Sequence, residues 1–259
     1  MKKLIALLLA LLIAGAFTAL AEDDLLARIQ ARGTLVIATE GNWPPWTYHD
    51  EGDALTGLDV EIGTLIANGL GVAPDFQETV WDAILAGVDT GRFDIACNGV
   101  GYTEERAEKY SFSTPYVYTP KVLVVRGDND DIHTLEDLAG RTTANSPSST
   151  YATLAEEYGA TVTYINTLDE TIQLLEQGRV NATINARVSI EDYLAGHPDA
   201  DIKIVQELPG DPVAFPMRKG EDAESLVAAV NGILDQARQD GTLAEISLRY
   251  FSEDRTQPE

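Results

Sequence analysis

Short runs of β-branched and apolar residues alternate along the chain with segments whose apolar positions return every three or four residues, the pattern of strands followed by helices in βα units. Thr34 to Thr39 (TLVIAT), entered through Gly33, predicts a buried strand. Asp59 is expected to cap a helix whose apolar face is Val60, Ile62, Leu65, Ile66 and Leu70, with Gly71 as its stop. Pro74 to Glu78 predicts a second strand, Asp82 the cap of a short helix through Val88, and RFDIACN (92–98) a third strand. After Tyr116 the alternation starts afresh. Lys121 to Arg126 predicts a strand, Thr134 opens a helix, RTTAN (141–145) is a strand and Thr150 to Tyr158 a helix. Val162 to Tyr164, a helix from Leu168 to Gln177, the strand VNATIN (180–185), a helix from Ser189 to Ala195 and the strand IKIV (202–205) complete this block. Pro212 to Met217 is extended. The last long helix carries Leu226, Val230, Ile233, Leu234 and Ala237 on one face, and a further helix runs from Gly241 to Tyr250.

Two α/β blocks therefore follow one another, with a helical tail after the second. A tail that returns to the first block needs two chain crossings, expected near Tyr116 to Pro120 and Gly210 to Pro216, and two extended crossings make a hinge. The division expected is residues 22–117 with 214–259 as one lobe and 118–213 as the other.

The first 21 residues change the picture of where the protein works. Lys2 and Lys3 precede an uncharged apolar run, Leu4 to Phe17, and Ala19-Leu20-Ala21 has the small-x-small form of a signal-peptidase site. The run is short for a membrane span, so a cleaved leader and a periplasmic or secreted protein are expected. No cysteine stands at the cleavage site to carry a lipid. Cys97, the only cysteine, excludes an internal disulfide and reads as a buried strand thiol. The formal charge of −24 becomes more negative still when Lys2 and Lys3 leave. Such a chain repels nucleic acid and anionic lipid.

Four separated stretches then carry a resemblance. RGTLVIATEGNWPPWTYHDEGDALTGLDVEI, WDAILAGVDTGRFDIACNGVGYTEERAEKYSFSTPY, EDLAGR and DQARQDGTLAEISLRYF resemble, in this order and spacing, the family 3 extracellular solute-binding proteins of polar amino-acid ABC transporters. NATINARVSIEDYL and EKYSFSTPY are most similar to the cystine-binding branch. The resemblance implies an α/β fold of the periplasmic-binding-protein type II class, two lobes joined by a two-strand hinge. It implies a monomer that captures a polar amino acid, needs no cofactor or metal, and delivers its load to a membrane permease.

The residues agree with that chemistry. A receptor for an amino acid must pair an α-carboxylate and an α-ammonium after stripping their water. Arg106, in TEER, matches the arginine that the family uses for the carboxylate, and a planar guanidinium grips a carboxylate through two parallel bonds. The alternative is a surface arginine paired with Glu104, Glu105 or Glu108. Asn98, Gly99 and Gly101 follow a predicted strand, where backbone N–H groups can approach a ligand. The family's usual hydroxyl residue is replaced by Gly101, and Thr103 serves equally as helix cap or contact. Trp43 and Trp81 match the family's two aromatic clamps, against a core role for each, while Trp46 reads as packing. Glu40 matches an acidic position able to accept an ammonium, or is a solvated loop charge. Ser148, Ser149 and Thr150 stand at a helix N-terminus, as anion site or ordinary cap. Where the family carries an aspartate for the ammonium, one place after Asn185, this chain has Ala186. The ammonium must then turn to Glu40, the Asn185 amide oxygen or backbone carbonyls.

An enzyme is the rival class, because dehydratases acting on prephenate-like substrates share the fold. His49, His133 and His197 form no pairing motif, and no nucleophile elbow, zinc motif or phosphate loop is visible. GDNDD (127–131) lacks the spaced ligands of a calcium loop.

Overall fold

A computed structural model describes residues 24–258; the expected leader and its cleavage site lie outside them. The first lobe opens with α1 (Leu25–Arg32), capped by the Asp24 carboxylate, and β1 (Thr34–Thr39), reached through Gly33 in the left-handed conformation. A small three-stranded sheet follows, β2 (Asn42–Trp43), β3 (Thr47–His49) and β4 (Leu55–Thr56), then α2 (Leu58–Gly69), β5 (Ala73–Glu78), α3 (Trp81–Asp89) and β6 (Ile95–Ala96). The six-residue α4 (Glu104–Lys109) runs into β7 (Tyr110–Phe112). Strand β13 (Pro216–Arg218), from late in the chain, enters the same sheet, whose order is β5-β1-β6-β13-β7.

The second five-stranded sheet has the order β10-β9-β11-β8-β12 and comprises β8 (Val117–Arg126), β9 (Thr142–Asn145), β10 (Thr161–Tyr164), β11 (Ala182–Ala186) and β12 (Ile202–Val213). Helices α5 (Thr150–Glu157), α6 (Leu168–Glu176) and α7 (Arg187–Gly196) cover its faces. Val122 and Val124 of β8 pack with Ile172, Leu175 and Ile190 on one side, while Leu123 and Val125 pack with Leu135, Leu138 and Ala155 on the other. A strand covered on both faces needs apolar residues at consecutive positions, which explains the unbroken VLVV run. Helices α8 (Glu224–Gln239) and α9 (Thr242–Phe251) return to the first sheet. Leu226, Val230 and Leu234 there share a core with Leu35, Ile37, Ile62 and Ile66.

The chain passes from the first sheet to the second between Phe112 and Val117, and back between Val213 and Pro216. Both sheets reverse their strand order at an internal parallel pair. In the first, β1 has β5 on one side and β6 on the other; in the second, β9 has β10 on one side and β11 on the other. Loops leaving the carboxyl ends of such a pair diverge and leave a crevice. Glu40 and Asn98 stand at the first crevice, Ser146 and Asn185 at the second.

Some expected boundaries change. Gly57, not Asp59, is the N-cap of α2, with φ +125, and Val80, not Asp82, is the N-cap of α3. A side chain built on Gly57 would lie 2.3 Å from the Trp46 carbonyl oxygen, so only glycine fits there. Thr134 does form a reciprocal capping box with Asp137, but only a single 3₁₀ turn, Leu135–Leu138, follows. The third predicted strand shortens to β6, because the chain after Ala96 turns away to build the site.

Candidate functional site

Between the sheets lies a cleft of about 850 Å³, part of it open to solvent. Glu40, Trp43, Trp81, Gly99, Gly101 and Arg106 line it from the first lobe; Ser149, Thr150 and Asn185 line it from the second. These residues are far apart in sequence and converge here because most of them follow or end a strand at the two crevices, while Trp43 comes from the small sheet and Arg106 from α4.

Arg106 is held at the junction. Thr103 Oγ1 accepts from the Arg106 N–H at 3.1 Å, so the threonine caps α4 and fixes the start of the turn that presents the guanidinium. Arg106 Nη1 donates to the Gly101 carbonyl at 2.9 Å in its own lobe, and Nη2 donates to the Ser148 carbonyl at 3.0 Å across the cleft. Its carbon centre sits 5.5 Å from the centroid of the Trp81 ring. Burial lowers its pKa from the ordinary arginine value, with the nearby acids opposing that shift. A guanidinium presents five N–H donors, so three remain uncommitted. The alternative pairing with Glu104, Glu105 or Glu108 is not what occupies it.

Gly101 is placed to help. It forms an isolated antiparallel bridge with Val213, and the flanking bonds run from the Tyr102 N–H to the Pro212 carbonyl and from the Ala214 N–H to the Val100 carbonyl. In such a non-bonded pair the residue's own N–H and C=O point away from the partner strand, on one common side. Since the Gly101 carbonyl meets Arg106, its N–H faces the same space.

Asn98 and Gly99 play other parts. Asn98 is fully buried and does not line the cleft; its amide donates to Glu40 Oε2 at 2.8 Å and its oxygen accepts from the Glu40 N–H at 2.7 Å. The Gly99 N–H is already committed, at 2.6 Å, to Asp59 Oδ2. Asp59 is itself fully buried and accepts the Tyr116 hydroxyl at 2.6 Å, and burial pushes its pKa up to about 7. Gly99 has φ +56, and a Cβ there would lie 2.7 Å from Trp43 Cζ3 and 3.0 Å from Trp46 Cδ2. The glycine therefore makes room for indoles.

Those indoles stack on each other. Trp43 and Trp46 have ring centroids 5.4 Å apart at 21°, and Trp46 Nε1 donates to Ser189 Oγ of the second lobe at 3.2 Å. Trp46 thus packs, as expected, yet it also lines the cleft and bridges the lobes. Trp81, 8% exposed, packs with Ile84, Val88 and Phe93 while presenting one face to Arg106, so it belongs to the core and also lines the cleft.

Glu40 is not a solvated loop charge. Its carboxylate is held by Asn98 and by the Trp81 backbone N–H, and burial, the largest cause, raises its pKa to about 6. In the second lobe Ser149 caps α5 by accepting from the Ala152 N–H at 3.1 Å and donates to the Ser146 carbonyl at 2.7 Å. Ser148, at φ +57, offers its carbonyl to Arg106 and does not line the main cleft. The Asn185 oxygen accepts from the Ala186 N–H at 2.8 Å.

Several cleft residues escaped the sequence reading. Lys121 and Asp211 lie on β8 and β12 near the crossings, joined by a bond of 2.9 Å from Nζ to Oδ1. Both fall inside stretches read only as extended, and their proximity depends on antiparallel register that no local signal specifies. Tyr151 and Asn145 also line the cleft. Among the described residues no group of three or more His, Cys, Asp or Glu is placed to hold a metal.

Residues 35–253 match the family model of bacterial extracellular solute-binding proteins, family 3. The chain belongs to that family. It is 40% identical over 236 residues to the L-cystine-binding protein TcyA of Bacillus subtilis, covering 90% of this chain and 87% of that protein. Among solved structures it is similar to an ancestral arginine-binding protein bound to arginine, with a TM-score of 0.79, 33% identity and coverage of 85% and 99% of the two chains. It is also similar to the unliganded, open L-cystine solute receptor of Neisseria gonorrhoeae, with a TM-score of 0.60, 36% identity and coverage of 90% and 99%. The fold class expected from the motifs and the resemblance to cystine-binding members both hold.

Proposed function

We propose that the protein captures a polar amino acid between its lobes and delivers it to the permease of an ABC transporter. The observation that supports this most is Arg106, half-buried at the lobe junction, with three N–H donors uncommitted and the Gly101 N–H facing the same space. A carboxylate seated there takes a bidentate bond from the guanidinium and a third from the backbone. The N–H groups of Thr150 and Tyr151, in the first turn of α5, add a partial positive charge from the opposite lobe. Trp43 and Trp81 flank the space left for a side chain.

The charged residues lining the cleft are Glu40, Asp211, Arg106 and Lys121, two of each sign. That balance suits a zwitterion. A prephenate-like dianion would want an excess of cations, so we assign the protein binding rather than catalysis. Cystine, named for TcyA, and arginine, named for the ancestral protein, are the first ligands to try.

In this reading the described residues up to 117, with those from 214 to 258, form one lobe and 118–213 the other. Ligand bonded to both shifts the population toward the closed arrangement, which the permease then reads. The cross-lobe bonds from Arg106 to Ser148 and from Trp46 to Ser189 are the ones closure makes. The protein acts as an exported monomer freed from its leader; no helix among the described residues is long and apolar enough to cross a membrane. A thermal-shift screen of the standard L-amino acids and L-cystine tests this: a specific ligand raises the melting temperature by mass action, and a flat profile across all of them overturns the reading.

A further inference from the structure

The position one after Asn185 holds Ala186, fully buried and without a charge, so the acidic partner expected there for an ammonium is missing. Two of the substitutes named from sequence are already engaged. Asn185 gives its amide oxygen to the Ala186 N–H, and Glu40 holds the Asn98 amide and the Trp81 N–H. Asp211 differs. Its Oδ1 is anchored by Lys121 at 2.9 Å, and its Oδ2 has no hydrogen-bond partner among the described residues. A Cβ built on Gly101 would lie 3.8 Å from Asp211 Oδ2 and 4.0 Å from Arg106 Nη1, so the carboxylate and the guanidinium flank the same glycine.

The strand carries this aspartate to the cleft by a local device. Between Leu208, opposite Lys121, and Asp211, opposite Thr119, β12 advances three residues while β8 advances two. That extra residue is a β-bulge, which bends the strand and re-aims the side chains beyond it. Gly210 sits at the bulge against Thr119, where a Cβ would approach the backbone carbonyl to 2.6 Å and no other residue fits. The sequence Pro209-Gly210-Asp211 therefore has a positional meaning: it turns a carboxylate into the cleft.

We propose that Asp211 receives the ammonium of the ligand, positioned by Lys121, and takes the place of the acid absent at Ala186. This rests on the amino-acid reading above. The α-ammonium and α-carboxylate of one amino acid are neighbours, and Asp211 and Arg106 both lie beside Gly101. Lys121 offsets part of the aspartate's charge and holds Oδ1, which leaves Oδ2 as the acceptor. It follows that this chain discriminates an amino acid from its deamino analogue through position 211.

The test is calorimetry on the full chain without its leader, with whichever of the standard L-amino acids or L-cystine binds the unaltered protein, beside its deamino analogue (for L-cystine, 3,3′-dithiodipropionic acid). Asp211→Asn is expected to weaken the amino acid by about 30-fold or more and the deamino analogue by less than about threefold, since the carboxylate contacts stay in place. Equal loss for both ligands would mean that Asp211 only sets the field around Arg106, and would overturn the proposal; so would unchanged affinity for the amino acid. Binding of no amino acid by the unaltered protein would overturn the amino-acid reading itself and this inference with it. If Asp211→Asn does not fold, Lys121→Met is read instead, with the same selective loss expected at about threefold to tenfold and an equal loss for both ligands counting against the assignment.

Discussion

Replacing Arg106 by alanine tests the site at its centre. The side chain makes two hydrogen bonds, to the carbonyls of Gly101 and Ser148, at 2.9 and 3.0 Å, and lies over Trp81. Removing it takes away one contact between the lobes but leaves each carbonyl beside the cleft, where water can replace the donor. The fold should therefore survive, with a melting temperature lowered by only a few degrees. Ligand binding should not survive. A hydrogen bond to a charged group contributes about 1.5–3 kcal/mol, so losing a bidentate pair costs about 3–6 kcal/mol, or roughly a hundredfold to ten-thousandfold in Kd. Isothermal titration calorimetry on folded protein measures this directly, with circular dichroism as the check on the fold. An Arg106→Ala protein that stays folded and binds within about tenfold of the unaltered chain would refute the assignment of the guanidinium to the carboxylate. Arg106→Lys sharpens the result. A lysine keeps the charge and loses the fork, so a loss of about tenfold or more is expected even there.

Two further outcomes follow from the geometry. Gly99→Ala places a Cβ 2.7 Å from Trp43 and forces φ +56 on a residue that resists it, so urea unfolding should show a loss of about 2 kcal/mol or more. Glu40 gives a pH dependence. Its carboxyl, raised from 4.5 to about 6 in the folded protein, keeps its proton there while the unfolded chain has already released it, so stability falls as pH rises from about 4.5 to about 6. Glu40's share of the loss over that window is up to about 2 kcal/mol, read by urea titration across pH, and Glu40→Gln should remove that share while leaving the part due to Asp59, whose pKa is raised to about 7; an unchanged slope in the variant would place the titration elsewhere.

Much of this protein was legible in the chain itself. Strands β1 and β8 announce themselves because burial on both faces demands unbroken apolar runs, and helix α8 because one face must meet a core every three or four residues. Arg106, Glu40, Trp43 and Trp81 were singled out because the stretches around them resemble the family's motifs, and the Ser149 cap because it opens a helix. Tertiary structure decided what those local signals cannot carry. The role of Asp59 as the buried acceptor beneath Gly99, rather than a helix cap, depends on Tyr116 arriving from 57 positions away. Asn98 became the support of Glu40 and not a contact, since adjacent parallel strands bring their ends together. Lys121 and Asp211 meet only through the pairing of β8 with β12 and a one-residue bulge. A sequence fixes side-chain periodicity through the short range of backbone geometry, whereas the register between distant strands is set by the whole core at once, and the charged pairs of the cleft follow from that register.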